Sequence, residues 1–224
     1  IRSEVVRRPA IAKLLRVLDE HRFVIEAYHR GEVKLQMIKA GWPVDDRIPL
    51  SRGEPIPMTL RHTTAGGAPF AVRPYQEAAA SAFLGDLGPG TGYGVILMPC
   101  GSGKTVVGMR IMERLATRTL IVTTNVAAVR QWKGELLDKS NLKAEEIGEY
   151  SGDRKEVRPI TICTYQVLTW RRDKEGPFLH LDLLTEGGWG LIIYDEVHML
   201  PAPIFKVTAE LQAIHRLGLT ATLV

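Results

Sequence analysis

From about residue 70 onward the sequence predicts an α/β domain built on a parallel sheet, and three observations carry that reading. Short, almost unbroken apolar runs recur: YGVILMP, RTLIVTT, RPITICT, WGLIIYDE and HRLGLTAT. Segments of helical periodicity stand between them, such as KTVVGMRIMERLA and NVAAVRQWKGELLDK. One strand runs directly into a glycine-rich turn that opens a helix, MPCGSGKT. Strands apolar on both faces belong to sheets covered on both sides, and strand–helix alternation joins them in parallel. The expected architecture is a doubly wound α/β domain.

Ahead of it, residues 1–42 read as a small α+β segment. Pro9 suits a first helical turn, and Ile11, Leu14, Leu15 and Leu18 fall on one helical face. RFVIEAY reads as a strand. GEVKLQMIKAGWP alternates like a strand at Val33, Leu35 and Met37, but Gly41 and Pro43 form a helix stop, which favours a helix. Residues 43–69 hold five prolines and three glycines and read as a connector. Residues 70–224 form the main domain.

The 224 residues allow one medium domain and a smaller one, with 45% apolar and 24% charged residues to build a core and a wet surface. A net charge of +4 is compatible with a polyanionic partner. Cys100 and Cys163 lack metal-ligand spacing and read as reduced thiols of a cytoplasmic protein. No apolar run has the length of a membrane span, and no signal peptide is visible. The chain begins at Ile1 and stops at TATLV, which reads as a piece of a longer protein.

Chemistry enters at MPCGSGKT. Met98 stands where the usual phosphate-loop pattern has a glycine, so context must decide. A strand before and a helix after bring free N–H groups and a helix dipole to an anion. Gly101 and Gly103 let the backbone curl, Cys100 and Ser102 complete the cradle, Lys104 supplies charge to the outer phosphates, and Thr105 offers a hydroxyl to Mg²⁺. A second carboxylate site is then required, and LIIYDEVH provides Asp195 and Glu196 at a strand's end. Carboxylates there are costly without a task. Asp195 is expected to hold Mg²⁺ with Thr105, and Glu196 to deprotonate the attacking water. The bland alternative is a pair of helix-capping acids.

These motifs resemble the first motor domain of superfamily 2 helicases, a RecA-like fold, over residues 72–224. Asp195, Glu196, Val197 and His198 match that group's Asp-Glu-x-His box. Thr220, Ala221 and Thr222 resemble its motif III, which couples nucleotide to domain movement, with His198 as a relay. VRPYQ, with Arg73 and Gln76, resembles the adenine-reading segment. TTNVAAVRQW and CTYQVL resemble two segments that track a DNA backbone, which would assign DNA contacts to Thr123, Asn125, Gln131, Thr164 and Gln166. Together with GEYSGDRKEVRPITICTYQVL and WGLIIYDEVHMLPAPIF, the chain is similar to XPB-type DNA helicases, nearest the bacterial branch.

The resemblance implies an ATP- and Mg²⁺-dependent 3′-to-5′ DNA helicase or translocase linked to repair. It would be cytoplasmic and nucleoid-associated, would contact DNA mainly through phosphates, and could pair with a repair nuclease or other protein. The family's Arg-Glu-Asp after TATLV and its second motor domain are missing from this sequence, so the piece alone is expected to be poorly active. An ATP-regulated DNA- or protein-binding module, or the motor of a restriction endonuclease, are the alternatives. Arg171, Arg172 and Lys174 sit in an insertion that reads as a charged surface loop.

Overall fold

A computed structural model describes residues 7–26, 29–47, 50–88, 90–168, 170, 172, 180, 187–199 and 213–222. Six strands form one parallel sheet: β3 (Tyr93–Leu97), β4 (Thr119–Thr123), β5 (Ile147–Tyr150), β6 (Ile160–Thr164), β7 (Leu191–Asp195) and β8 (His215–Thr220), in the order β3-β8-β7-β4-β6-β5. This is the parallel α/β arrangement that the alternation of runs predicts, and it agrees with the RecA-like fold that the resemblance implies.

The sheet's inner strands bury both faces. On β4, Ile121 joins one apolar cluster while Leu120 and Val122 join the other. On β7, Leu191 and Ile193 face the first cluster, and Ile192 and Tyr194 the second. The period-two alternation of strand side chains makes such runs apolar throughout. Against the first cluster pack α3 (Pro74–Leu84), α4 (Lys104–Leu115) and α5 (Val126–Lys139), contributing Phe83, Met109, Trp132 and Leu136 among others. The short α6 (Tyr165–Leu168) follows β6 directly.

Three local expectations change. YGVILMP was expected to be buried, yet β3 is an edge strand with Tyr93, Val95 and Leu97 exposed. β5 is a strand the alternation missed: IGEY carries only two large apolar side chains, and its buried Glu149 breaks the hydrophobic pattern. In the N-terminal segment, helix α1 is only Pro9–Ala12, and Arg16–Val17 (β1) pairs antiparallel with Phe23–Val24 (β2) instead of continuing it. Of the apolar face, Ile11 alone is fully buried while Leu18 is exposed, so among the described residues little apolar burial is available to hold a longer helix. The ambiguous GEVKLQMIK forms helix α2 (Arg30–Lys39), and Gly41 past its end has φ +85, a left-handed value suited to glycine.

Residues 51–70 lie against the sheet and its helices. Ser51 bridges Ala213 two residues before β8, Pro55 bridges Thr117 just before β4, and Leu60 bridges Ser140 after α5. Met58 and Leu60 enter the core. Gly53 (φ +72) has no room for a Cβ, which would collide with Thr117 and the Gly190 backbone.

Candidate phosphate-binding and hydrolytic site

The turn 98–105 joins β3 to α4 at the carboxyl end of the sheet. Met98 belongs to the strand ladder, its N–H donating to Thr220 O at 3.0 Å and its side chain buried. A glycine five places before Gly103-Lys104-Thr105 is therefore not needed for the curl. The left-handed positions are Gly101 (φ +74) and Gly103 (φ +80). Gly103 is the N-cap of α4, so the free N–H groups of the first turn open beside the loop. A Cβ on Gly103 would collide with Gln76 Nε2. Gly103→Ala is expected to cost roughly 1–2 kcal/mol from the left-handed backbone alone. It should also weaken nucleotide binding, as read by urea unfolding and a nucleotide titration; unchanged stability would show that the loop does not need this conformation.

Helix α3 braces the loop. Gln76 is buried; its Oε1 accepts from Arg73 N at 2.9 Å and its Nε2 donates to Ser102 O at 3.0 Å. Tyr75 OH donates to the same Ser102 carbonyl at 2.9 Å, and Arg73 Nη1 donates to Tyr75 OH at 3.1 Å. Ser102 Oγ donates to Pro99 O at 2.6 Å. Cys100 is exposed. A cavity of about 370 Å³ opens here, lined by Phe70, Arg73, Gln76, Gly101 and Gly103. Tyr75 lies inside VRPYQ, where the motif reading singles out only Arg73 and Gln76, and Phe70 has no signal beyond its proximity to that segment.

Lys104 is the first residue of α4. Its side chain is 10% exposed, with Nζ 3.6 Å from Glu196 Oε1 and 3.5 Å from Met98 O. Lys104 and Glu196 thus face one another, although β8 separates the strands that lead to them. Glu196 sits in a tight turn after β7 with φ +51, unusual for a residue with a Cβ and a form of strain that clusters at functional sites. His198 Nδ1 is 2.8 Å from Thr220 Oγ1 and 3.3 Å from Glu196 Oε2. Thr220 Oγ1 also donates to Thr222 O and accepts from Thr222 N, closing the turn through Ala221.

Asp195 ends β7 and is partly buried. Burial pushes its carboxyl above the usual range; the Trp132 N–H and the Lys104 charge act the other way, and Glu196 adds to the rise. Trp132 Nε1 donates to Asp195 Oδ2 at 2.9 Å, and Tyr165 OH donates to Asp195 O at 2.6 Å. Trp132 reads from sequence as a packed aromatic, which it is, at 1% exposed. A buried indole N–H needs an acceptor, the one signal that could have pointed to a partner.

The residues assigned to DNA contact divide. Thr123 is fully buried and its hydroxyl donates to Cys163 O at 3.1 Å; Thr164 is buried too. Asn125 caps α5, its Oδ1 accepting from Ala128 N at 2.9 Å. Asn125, Gln131 and Gln166 are exposed, and Gln166 Nε2 donates to Thr124 O at 2.9 Å, tying the two strand ends together. Arg172 is exposed, while Arg171 and Lys174 lie outside the described residues. Among the described residues, no helix is long and apolar enough to cross a membrane.

The family model described as type III restriction enzyme, res subunit, matches residues 69–224. The chain is 46% identical over 223 residues to a Mycobacterium tuberculosis protein named DNA 3'-5' helicase XPB, covering 99% of this chain and 38% of that protein. It is 45% identical over 223 residues to a Kineococcus radiotolerans protein of the same name, covering 99% of this chain and 38% of that one. The chain therefore spans about two fifths of the length of these curated relatives. Among solved structures it is similar in fold to the UvsW helicase of bacteriophage T4, with a TM-score of 0.53 and 15% identity, covering 93% of this chain and 75% of that one.

Proposed function

Because the chain belongs to the family described as type III restriction enzyme, res subunit, we propose that it is the ATP-binding motor half of an XPB-like DNA helicase or translocase. The observation that carries the proposal is the meeting of Lys104 with Glu196 at 3.6 Å, beside Asp195, over a glycine turn at a helix N-terminus. Division into an N-terminal segment (1–42), a connector (43–69) that straps the sheet, and a motor domain (70–224) is part of the same proposal.

In this reading Gly101–Gly103 and the first turn of α4 cradle the phosphates by N–H donation. Lys104 leaves Glu196 for the outer phosphates, which frees the carboxylate to take a proton from water. Thr105 and Asp195 would hold Mg²⁺. Their hard oxygen donors suit it. Mg²⁺ usually takes only one or two protein oxygens and completes its shell with substrate phosphates and waters. When bound, Mg²⁺ would neutralise charge on the transferred phosphoryl group. Arg73 and the Gln76-braced cavity would receive the base. His198, Thr220, Ala221 and Thr222 would carry the nucleotide state from Glu196 to the neighbouring turn.

DNA would lie across the carboxyl ends of β4 and β6, touching Asn125, Gln131 and Gln166 first, with Thr123 and Thr164 shaping the strand ends from beneath. Such contacts are to phosphates and read no sequence. Affinity is expected to fall with salt at a log–log slope of about 0.7–0.9 per phosphate neutralised. A salt-independent or strongly sequence-selective affinity would contradict this. The functional test is an ATPase assay on the full-length protein with and without DNA: stimulation by DNA is expected, and an ATPase indifferent to DNA would overturn the motor reading. A restriction-enzyme motor remains the second reading, favoured by the family's description; the 46% identity to a protein named as a helicase favours the first.

A further inference from the structure

Trp132 occupies a junction that the hydrolytic chemistry does not itself require. It lies on α5, is 1% exposed, and its indole reaches under the sheet's carboxyl end. The ring tip packs on Gly108 of α4, one turn beyond Lys104 and Thr105: a Cβ on Gly108 would stand 2.8 Å from Trp132 Cη2. A mid-helix glycine costs about 1 kcal/mol relative to alanine, and here it makes room for the indole. At its other end the ring N–H donates to Asp195 Oδ2 at 2.9 Å. Apolar packing alone could have been met by Phe or Leu. A donor aimed at a half-buried carboxylate is a more particular choice, since hydrogen bonds to charged groups fix orientation more strongly than neutral ones.

A second donor reaches the same residue from another direction. Tyr165 opens α6 directly after β6, is 3% exposed, and its hydroxyl donates to the Asp195 main-chain carbonyl at 2.6 Å. One bond fixes the side chain and the other fixes the backbone that carries it. Trp132 follows β4 and Tyr165 follows β6, the two strand ends laced together by Thr123 Oγ1 to Cys163 O and Gln166 Nε2 to Thr124 O.

We propose that Trp132 and Tyr165 are positioning residues that hold Asp195 in its metal-taking orientation, and so link the segments after β4 and β6 to the hydrolytic site. This rests on the reading of Asp195 as a Mg²⁺ ligand. Outer partners of metal ligands typically contribute 10–100-fold in metal affinity.

The test is an electron paramagnetic resonance titration of Mn²⁺ into the full-length protein with a non-hydrolysable ATP analogue. A parallel titration of the analogue is run in EDTA. Wild type is expected to bind Mn²⁺, and Asp195→Asn to bind it much more weakly. Trp132→Phe, which keeps an apolar ring and loses the donor, is expected to weaken Mn²⁺ by about tenfold or more. Its metal-free nucleotide affinity should stay unchanged. Tyr165→Phe is expected to weaken Mn²⁺ by less.

Wild-type Mn²⁺ affinity in Trp132→Phe would overturn the role of Trp132, and the same result in Tyr165→Phe would overturn that of Tyr165. Should Trp132→Phe unfold or lose metal-free binding, benzothienylalanine at position 132 decides, because it keeps the ring shape without the N–H: weakened Mn²⁺ supports the proposal, and wild-type affinity overturns it. Unchanged Mn²⁺ binding in Asp195→Asn would instead overturn the metal reading of Asp195, and the proposal with it.

Discussion

Lys104→Ala is expected to lower ATP turnover by at least about 10²–10³-fold, the loss that follows removal of one preorganised donor from developing charge. Nucleotide binding should weaken as well, by about tenfold to a hundredfold, since a hydrogen bond to a charged group contributes roughly 1.5–3 kcal/mol. The geometry explains why no neighbour can substitute. Lys104 is the first residue of α4, its side chain is 10% exposed, and its Nζ stands 3.6 Å from Glu196 Oε1. Gly101 and Gly103 bring only backbone N–H groups, and Arg73 is exposed and hydrogen-bonded to Tyr75. The alanine protein should fold, because Ala is a good helix former in the first turn and the core contacts of α4 begin at Val106. Steady-state ATPase and a fluorescent-nucleotide titration check both halves. Wild-type turnover in the variant would remove the phosphate-site assignment.

Glu196→Gln is expected to separate binding from hydrolysis. The amide keeps the carboxylate's shape and should tolerate the turn at φ +51 as Glu does, but it cannot accept the water's proton. Loss of a general base lowers turnover by about 10²–10⁴-fold. Nucleotide affinity should hold or tighten, because Lys104 no longer faces a competing anion at 3.6 Å. His198 should keep its 2.8 Å contact with Thr220, so the turn beyond stays in place. The informative readout is the pair of numbers, affinity and single-turnover rate. If both fall together, Glu196 is a structural acid that braces Lys104 and His198.

The readable part of this protein was the part written in local chemistry. Glycines at 101 and 103 announce left-handed turns because other residues resist them, and both have positive φ. Runs such as TLIVT and LIIYD announce inner strands because both faces are covered. An acid directly after an apolar run announces a strand end, as Asp195 does. Asn125 announces an N-cap, and its side chain makes that bond.

Other features depend on what a residue meets across the fold. YGVILMP has the composition of an inner strand, but its place at the sheet edge, with Tyr93, Val95 and Leu97 exposed, is a matter of strand order. IGEY becomes a strand because β6 offers it a ladder. Ile11 to Leu18 fail to make one helix because a periodic apolar face is only stabilised by something to bury it against. Thr123 has the residue type of a phosphate contact, yet its hydroxyl is turned inward to Cys163 O.

By itself, then, the sequence determined the strand–helix alternation, the glycine turn before α4 and the acids at the end of β7, because each depends on backbone conformation or on residues adjacent in the chain. The tertiary structure alone decided that Lys104 meets Glu196, that Gln76 braces the loop through Ser102, and that Trp132 and Tyr165 converge on Asp195 from 63 and 30 residues away. Those pairings depend on strand order and on the directions of buried donors, and a buried donor must find its acceptor wherever packing places one.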